Sequence, residues 1–251
     1  MDYKRVSLYI FIALIFLYAL LSGINVFLPQ GDAATSATPT TAMPAPLPVM
    51  ALVIAVGVFI VYGALGLLGI FLARKLGLPD VWDSAVTNQQ RFLVPAIVGA
   101  AIGVLLMLLD LAFASINGVG RLPHPPFPTS IVAALAAGIG EETVFRLFLI
   151  SFWTWLISRV LLRGRGQTVV FWIVAVFAAV AFGMSHLPAI MYLEGWKTAA
   201  DVPGAMMAEL LLLNGLISLP AAYLFKRFGF IGAAGAHFWA DVVWHVVWGL
   251  L

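Results

Sequence analysis

The chain has 251 residues, of which 63% are hydrophobic and 10% are charged. Soluble domains are about half apolar and about a quarter charged, so this composition indicates a protein that crosses a membrane several times. Cysteine is absent, which excludes disulfides, thiolate catalysis and cysteine-ligated zinc or iron–sulfur sites. The net charge of +2 arises from basic residues in loops and gives no indication of nucleic-acid binding.

Seven apolar stretches approach the roughly 20 residues that a membrane-spanning helix needs. The sequence therefore predicts an all-α polytopic membrane bundle of about seven transmembrane helices, seven or eight. Leu187-Pro188 is expected to end or bend the fifth span. The predicted spans are residues 6–28, 49–73, 92–116, 130–156, 169–185, 205–225 and 230–250.

The first span is interpreted as an uncleaved helix, because its apolar core exceeds the roughly 7 to 15 residues of a signal peptide. An Ala/Thr/Pro-rich loop, residues 29–48, follows it and is predicted to be an extended, flexible linker. We divide the chain into three N-terminal helices, residues 1–129, and a catalytic core, residues 130–251. Both are expected to form one integral membrane domain.

Basic loop residues collect on the cytoplasmic side of a membrane. With a cytoplasmic N-terminus and an external C-terminus, only Arg121 and Lys197 lie outside. We therefore predict a multi-pass protein of the cell membrane in that orientation. The cytoplasmic residues would be Lys4, Arg5, Arg74, Lys75, Arg91, Arg159, Arg163, Arg165, Lys226 and Arg227.

Three charged residues interrupt the fourth apolar segment, at Glu141, Glu142 and Arg146. Each costs about 2.5 to 3.5 kcal/mol at a helix centre in a bilayer. Glu142 and Arg146 are four residues apart and can form an ion pair. Glu141 is rotated by about 100° on the helix, so we expect it to stay free for chemistry. A purely structural salt bridge would leave Glu141 unexplained.

Two further segments place histidines in apolar surroundings. His186 ends the fifth predicted span, one turn after Phe182, where a lone histidine is more often interfacial than catalytic. His237, Asp241 and His245 follow at four-residue steps along one face of the last helix. A polar stripe of this kind faces a bundle interior or a water-filled cavity, where it could form a proton relay or bind a metal.

The remaining polar residues are weaker candidates for a functional site. Asp110, Glu209 and Asn214 are interpreted mainly as packing or interfacial groups. His124 lies among prolines and is expected to be a loop residue.

These residues together resemble the type II CAAX prenyl endopeptidase family, also called CPBP or Abi, of intramembrane glutamic proteases. Three motifs carry the resemblance, in order along residues 130–251. The EExxxR motif is Glu141-Glu142 with Arg146, the FxxxH motif is Phe182 with His186, and the HxxxN/D motif is His237 with Asp241.

The resemblance implies peptide-bond hydrolysis within the bilayer. Glu141 would be the general base that activates a water, assisted by His186, and His237 and Asp241 would stabilise the oxyanion. The prenyl-processing members have Asn where this chain has Asp241, and an ionised Asp cannot donate a hydrogen bond. Asp241 is therefore protonated, orients His237, or binds a metal. Glu142, Arg146 and Phe182 would be supporting residues.

The expected activity is an endopeptidase acting on a membrane-associated protein or peptide, including a prenylated CAAX-type substrate, without a cofactor. A zinc protease that uses Glu141, His186, His237 and Asp241 as ligands is the alternative. A second alternative is a non-enzymatic membrane protein, such as an immunity factor, a transporter or a scaffold. The expected partners are that substrate and the lipid bilayer, with no nucleic acid, and the sequence carries no indication of oligomeric state.

Straight helices with these bounds would not bring the motifs to one depth. Glu141 and His186 lie about 18 residues, or about 27 Å, from the cytoplasmic ends of their segments, and His237 about seven residues. Either the fourth segment is tilted or broken around Gly138 and Gly140, or the bounds are shifted, or the cavity reaches deep from one side.

Overall fold

A computed structural model describes residues 3–31 and 45–251, which form helices and loops without a strand. The predicted all-α membrane class is confirmed. The predicted linker falls mostly on residues 32–44, outside the described residues. Six helices are long and apolar enough to cross a membrane: α1 (Tyr3–Asn25), α2 (Leu47–Leu76), α3 (Gln89–Phe113), α4 (Thr129–Leu161), α5 (Gln167–Glu194) and α6 (Gly204–Leu250).

A break in α6 accounts for the difference between six helices and the predicted count of about seven. Gly229 has φ 77° and ψ −169°, which is not helical. It divides α6 into a first limb, residues 204–228, and a second limb, residues 230–250, which match the sixth and seventh predicted spans. A Cβ atom at Gly229 would lie 2.5 Å from the carbonyl oxygen of Asp80. The break therefore requires glycine for its backbone conformation and for its close contact.

Of the two outcomes expected at Pro188, an end or a bend of the fifth span, the end is contradicted. The helix continues through Pro188 to Glu194, where Gly195, with φ 69°, forms a left-handed cap. A proline removes one backbone hydrogen bond, and the apolar residues on both sides still favour a helix within the bundle. His186 consequently lies inside α5 and not at its end.

The second limb of α6 packs closely against α3 through small residues. Cβ atoms at Gly99 and Gly103 would lie 2.2 Å from the oxygen of Ala236 and 2.7 Å from that of Ala240. Small residues of this kind let two membrane helices approach each other closely. Their contact fixes the limb that carries His237.

Of the alternatives considered for the fourth segment, a break around Gly138 and Gly140 is not present, because α4 is a regular α-helix from Thr129 to Glu142. Both glycines serve close packing instead. A Cβ atom at Gly138 would lie 3.0 Å from the oxygen of Ala234 in α6, and one at Gly140 would lie 2.4 Å from the Tyr18 ring in α1. The backbone changes to π-helix only after Glu142, and in α6 it does so after Asp241.

The loop between α2 and α3 helps to explain how the motifs meet inside the bundle. It covers the break at Gly229, and its residues Asp80 and Val81 are buried. Ser7 of α1 holds this loop by donating to the carbonyl of Trp82 at 3.2 Å and accepting from its N–H at 2.9 Å. The second limb of α6 therefore begins inside the bundle, so that His237 lies deep although it follows the break closely.

We predict that Gly229→Ala lowers the free energy of unfolding by at least about 1 to 3 kcal/mol, because alanine is strained at positive φ and its methyl group would meet the Asp80 carbonyl. Thermal unfolding in detergent, followed by circular dichroism, measures the change. Gly215→Ala is the control, since a Cβ atom there meets nothing within 4 Å. Equal stability of the two variants would contradict the role of Gly229.

Candidate active site

A partly open cavity of about 610 Å³ is lined by residues from all six helices. The four residues predicted as catalytic all reach this cavity, although they lie on three different helices. Its other polar lining residues come from α1 and from both limbs of α6. The ionisable and amide side chains at the cavity are Tyr18, Asn25, Glu141, His186, Asn214, His237, Asp241 and His245.

Glu142, Arg146 and His237 form a buried cluster next to the cavity. His237 is the member of this cluster that also lines the cavity. Glu142 Oε1 lies 3.1 Å from Arg146 Nη1 and 2.7 Å from His237 Nδ1. The contact with Arg146 has the distance of an ion pair but not the angle of a hydrogen bond, and the guanidinium has no hydrogen-bond partner among the described residues. The aromatic ring of Phe182 lies 5.0 Å from Arg146 Cζ, within the range of a cation–π contact.

His237 connects this cluster to the two carboxyl groups at the cavity. Its Nε2 atom lies 3.6 Å from Glu141 Oε2 and 3.5 Å from Asp241 Oδ2. The Glu141 side chain is 34% exposed whereas that of Glu142 is 0% exposed. Two adjacent glutamates thus have different surroundings: Glu142 binds protein groups, and Glu141 faces the cavity.

The imidazole of His186 has one nitrogen bound to the protein. Nδ1 lies 2.9 Å from the carbonyl oxygen of Phe182, which can only accept, so Nδ1 carries the proton and donates it. The neutral ring then keeps the lone pair of Nε2 for another partner. The ring of Phe182 makes edge contacts with both imidazoles, at 4.9 Å to His186 and 5.6 Å to His237.

A second pair of histidines, His124 and His245, was not connected by the sequence reasoning, and of the two His245 lines the cavity. His124, in the loop before α4, lies with Nδ1 at 3.1 Å from Nδ1 of His245 and packs edge-on against Trp244 at 4.7 Å. Burial lowers the pKa of His124 to about 4, so it is neutral at physiological pH. The pair ties this loop to the second limb of α6.

The buried acids Asp110 and Glu209 bind protein groups, as expected for packing residues. Asp110 accepts a hydrogen bond from a main-chain N–H of the loop 114–128 and another from Trp248 Nε1, both at 2.9 Å. Glu209 accepts one from Asn117 Nδ2 at 2.7 Å. Both acids therefore hold the loop that leads into α4.

The sequence reasoning also missed a polar face of α1. Tyr18, Ser22 and Asn25 all line the cavity, and steps of four and three residues place them on one side of a helix. This spacing was visible in the sequence, but uncharged polar residues near a helix end give a weak signal. Asn214, first considered a packing residue, lines the cavity too.

The four residues named as alternative zinc ligands, Glu141, His186, His237 and Asp241, all line the cavity. In residues 3–31 and 45–251, no group of three or more His, Asp or Glu side chains is placed to hold a metal ion. Nδ1 of His237 is bound by Glu142, and its Nε2 faces two carboxyl groups.

The fold and the cavity define a class: a multi-pass integral membrane protein with ionisable side chains gathered at an internal site. The family model described as "Type II CAAX prenyl endopeptidase Rce1-like" matches residues 123–243, just under half of the chain. The resemblance inferred from the three motifs is confirmed over this region, which implies a protease with a membrane-associated protein substrate. Comparisons with curated proteins and with solved structures give no match.

We predict that Arg146→Met destabilises the protein by about 3 to 5 kcal/mol, because it removes one partner of a buried ion pair and leaves Glu142 without its arginine. The double variant Glu142→Gln with Arg146→Met removes both charges and should regain more than half of the loss. Chemical unfolding in mixed micelles measures both. Arg159→Met, at an exposed position, is the matched control, and a loss as large there would refute the importance of the buried pair.

Proposed function

We propose that the protein is an intramembrane endopeptidase in which Glu141 activates a water to hydrolyse a peptide bond of a membrane-associated protein. The observation that supports this most directly is the meeting of Glu141, His237 and Asp241 at one cavity wall, with Nε2 of His237 within 3.6 Å of both carboxyl groups. The family match over residues 123–243 supports the same reaction class.

In this proposal the Glu141 carboxylate takes a proton from a water as the water oxygen attacks the carbonyl carbon of the substrate. The electron pair of the C=O bond moves to the oxygen, and His237 and Asp241 stabilise that oxyanion. The C–N bond then breaks, and Glu141 gives its proton to the leaving nitrogen. His186, with Nδ1 bound to the Phe182 carbonyl, assists through Nε2.

The charges of the site indicate where a proton is held. Glu141, Glu142 and Asp241 are three acids beside Arg146 and His237, so one negative charge remains even when His237 is protonated. A net charge is costly inside a membrane protein. A further proton on Asp241 would cancel it, leave Glu141 ionised as the base, and turn Asp241 into a donor for the oxyanion.

We propose that the substrate is a CAAX-type protein, with or without a prenyl group.

We also propose that the protein lies in the cell membrane with its N-terminus in the cytoplasm. One contact places the start of α1 and the end of α2 on the same side of the bundle: Arg74 Nη2, at the end of α2, donates to the Lys4 carbonyl, at the start of α1, at 3.0 Å. The basic residues at these two helix ends therefore lie together, as the positive-inside rule requires for a cytoplasmic face.

We expect Glu141→Gln to lower kcat by about 100-fold or more, since a general base contributes about 10² to 10⁴ in rate. The assay uses the full-length protein in liposomes and an internally quenched peptide that ends in a farnesylated CAAX sequence. Glu194→Gln, at the exposed end of α5, is the control. Unchanged cleavage by folded Glu141→Gln protein would show that the activity has another origin.

The same peptide without its farnesyl group tests the substrate class. A lower kcat/KM for this peptide supports recognition of the lipid chain. Cleavage of neither peptide by the wild type would overturn the assignment of a CAAX-type substrate.

We expect cleavage to be unchanged after treatment with phenanthroline or EDTA, because the proposed reaction uses the chain's own residues. Metal content of the purified active protein is measured in parallel by mass spectrometry. Loss of activity that returns on adding zinc would instead support the zinc protease.

A further inference from the structure

The α1 strip, defined as Tyr18, Ser22 and Asn25, lies outside residues 123–243, where the family model matches. All three residues line the cavity that holds Glu141. The Tyr18 ring packs directly over Gly140, the neighbour of Glu141, since a Cβ atom there would lie 2.6 Å from the Tyr18 hydroxyl. The strip therefore begins beside the proposed reaction centre.

Asn25 has a hydrogen-bond acceptor that none of the described residues uses. Its Oδ1 atom is buried and has no hydrogen-bond partner among the described residues. Gln30 donates to the main-chain carbonyl of Asn25 at 2.7 Å and not to its side chain. A buried acceptor without a partner costs about 1 to 3 kcal/mol. Because the Asn25 side chain lines the cavity, a rotation of its amide that brings Oδ1 to a donor bound there would remove this cost.

Ser22 leaves acceptor capacity free as well. Its hydroxyl donates to the Tyr18 carbonyl at 2.8 Å, which uses its one proton. The oxygen has two lone pairs, so it can accept from a ligand even with the Tyr18 hydroxyl beside it. The surroundings of the strip are apolar, because Leu21, Val26 and Ile54 line the same cavity. A peptide segment has this combination of chemistry: main-chain N–H donors with apolar side chains between them.

The length of the strip indicates how many residues of an extended peptide would lie along it. Tyr18 and Asn25 are seven residues apart, or about 10.5 Å along the helix. An extended peptide rises about 3.3 Å per residue, so about three substrate residues span this distance. An extended segment running from Glu141 along α1 would bring one N–H close to Asn25.

We propose that the α1 strip binds the main chain of an extended peptide substrate, and that Asn25 Oδ1 accepts a hydrogen bond from an N–H about three residues from the bond cleaved at Glu141. This inference rests on the proposed protease function for its choice of ligand. It assigns a binding role to α1, which carries none of the three motifs.

The test is a double-mutant cycle on binding, performed with the inactive Glu141→Gln protein in nanodiscs. The probes are the farnesylated CAAX peptide and a series in which each peptide nitrogen in turn is methylated, which removes one N–H. We expect one methylation, about three residues from the cleaved bond, to weaken Kd by about 3- to 10-fold, the value of one hydrogen bond. Adding Asn25→Leu should weaken binding of the unmodified peptide equally and abolish the effect of that methylation.

Asn88→Leu is the matched control, because Asn88 is exposed in the loop before α3 and is not among the residues that line the cavity. It should leave the methylation profile unchanged. An identical profile with and without Asn25→Leu overturns the inference, and so does an absence of peptide binding. If the wild type cleaves the peptide but Asn25→Leu and the methylations do not couple, the binding role of the α1 strip is wrong and the protease function stands. If they couple but the wild type does not cleave the peptide, the protease function is wrong and the binding role stands.

Discussion

The site depends on one buried carboxylate, that of Glu142. Its Oε1 atom lies close to Arg146 on its own helix and to His237 on the second limb of α6, so a single charge connects two helices. Ionised groups inside a membrane protein need partners, and this requirement fixes how α4 and α6 meet. Because Glu142 binds Nδ1 of His237, the other ring nitrogen is directed at the cavity.

The same contact could form only because the second limb of α6 begins inside the bundle. Gly229 breaks the helix beneath the buried loop residue Asp80, and Gly99 lets α3 approach the limb closely. Helix length alone would have left His237 nearer the membrane surface than Glu141. Backbone packing at glycines therefore sets the depth at which the side chains meet, and the buried charge sets their orientation.

Much of this arrangement was accessible from the sequence, and the exceptions have physical reasons. Apolar length predicted the spans, and polar residues inside them predicted which side chains reach the cavity. The four-residue spacing that favours ion pairs applies within one helix. It therefore predicted Arg146 as a partner of Glu142 but could not predict His237, which lies on another helix. Pro188 was expected to end or bend a helix that in fact continues past it, because local preference yields to packing in a bundle. The α1 strip could not be predicted in the same way, because its three residues are uncharged and so do not stand out within an apolar helix.

The two adjacent glutamates show how one helix can hold a structural and a reactive acid. A rotation of about 100° between neighbours turns Glu142 toward protein partners and Glu141 toward the cavity, where its side chain is 34% exposed. Exchanging their environments would need α4 to rotate by about 100°, which the buried contacts of Glu142 with Arg146 and His237 oppose. In the proposed reaction Glu141 must repeatedly gain and lose a proton, and it can do so without loosening the bundle because the charge that holds α4 to α6 resides on its neighbour.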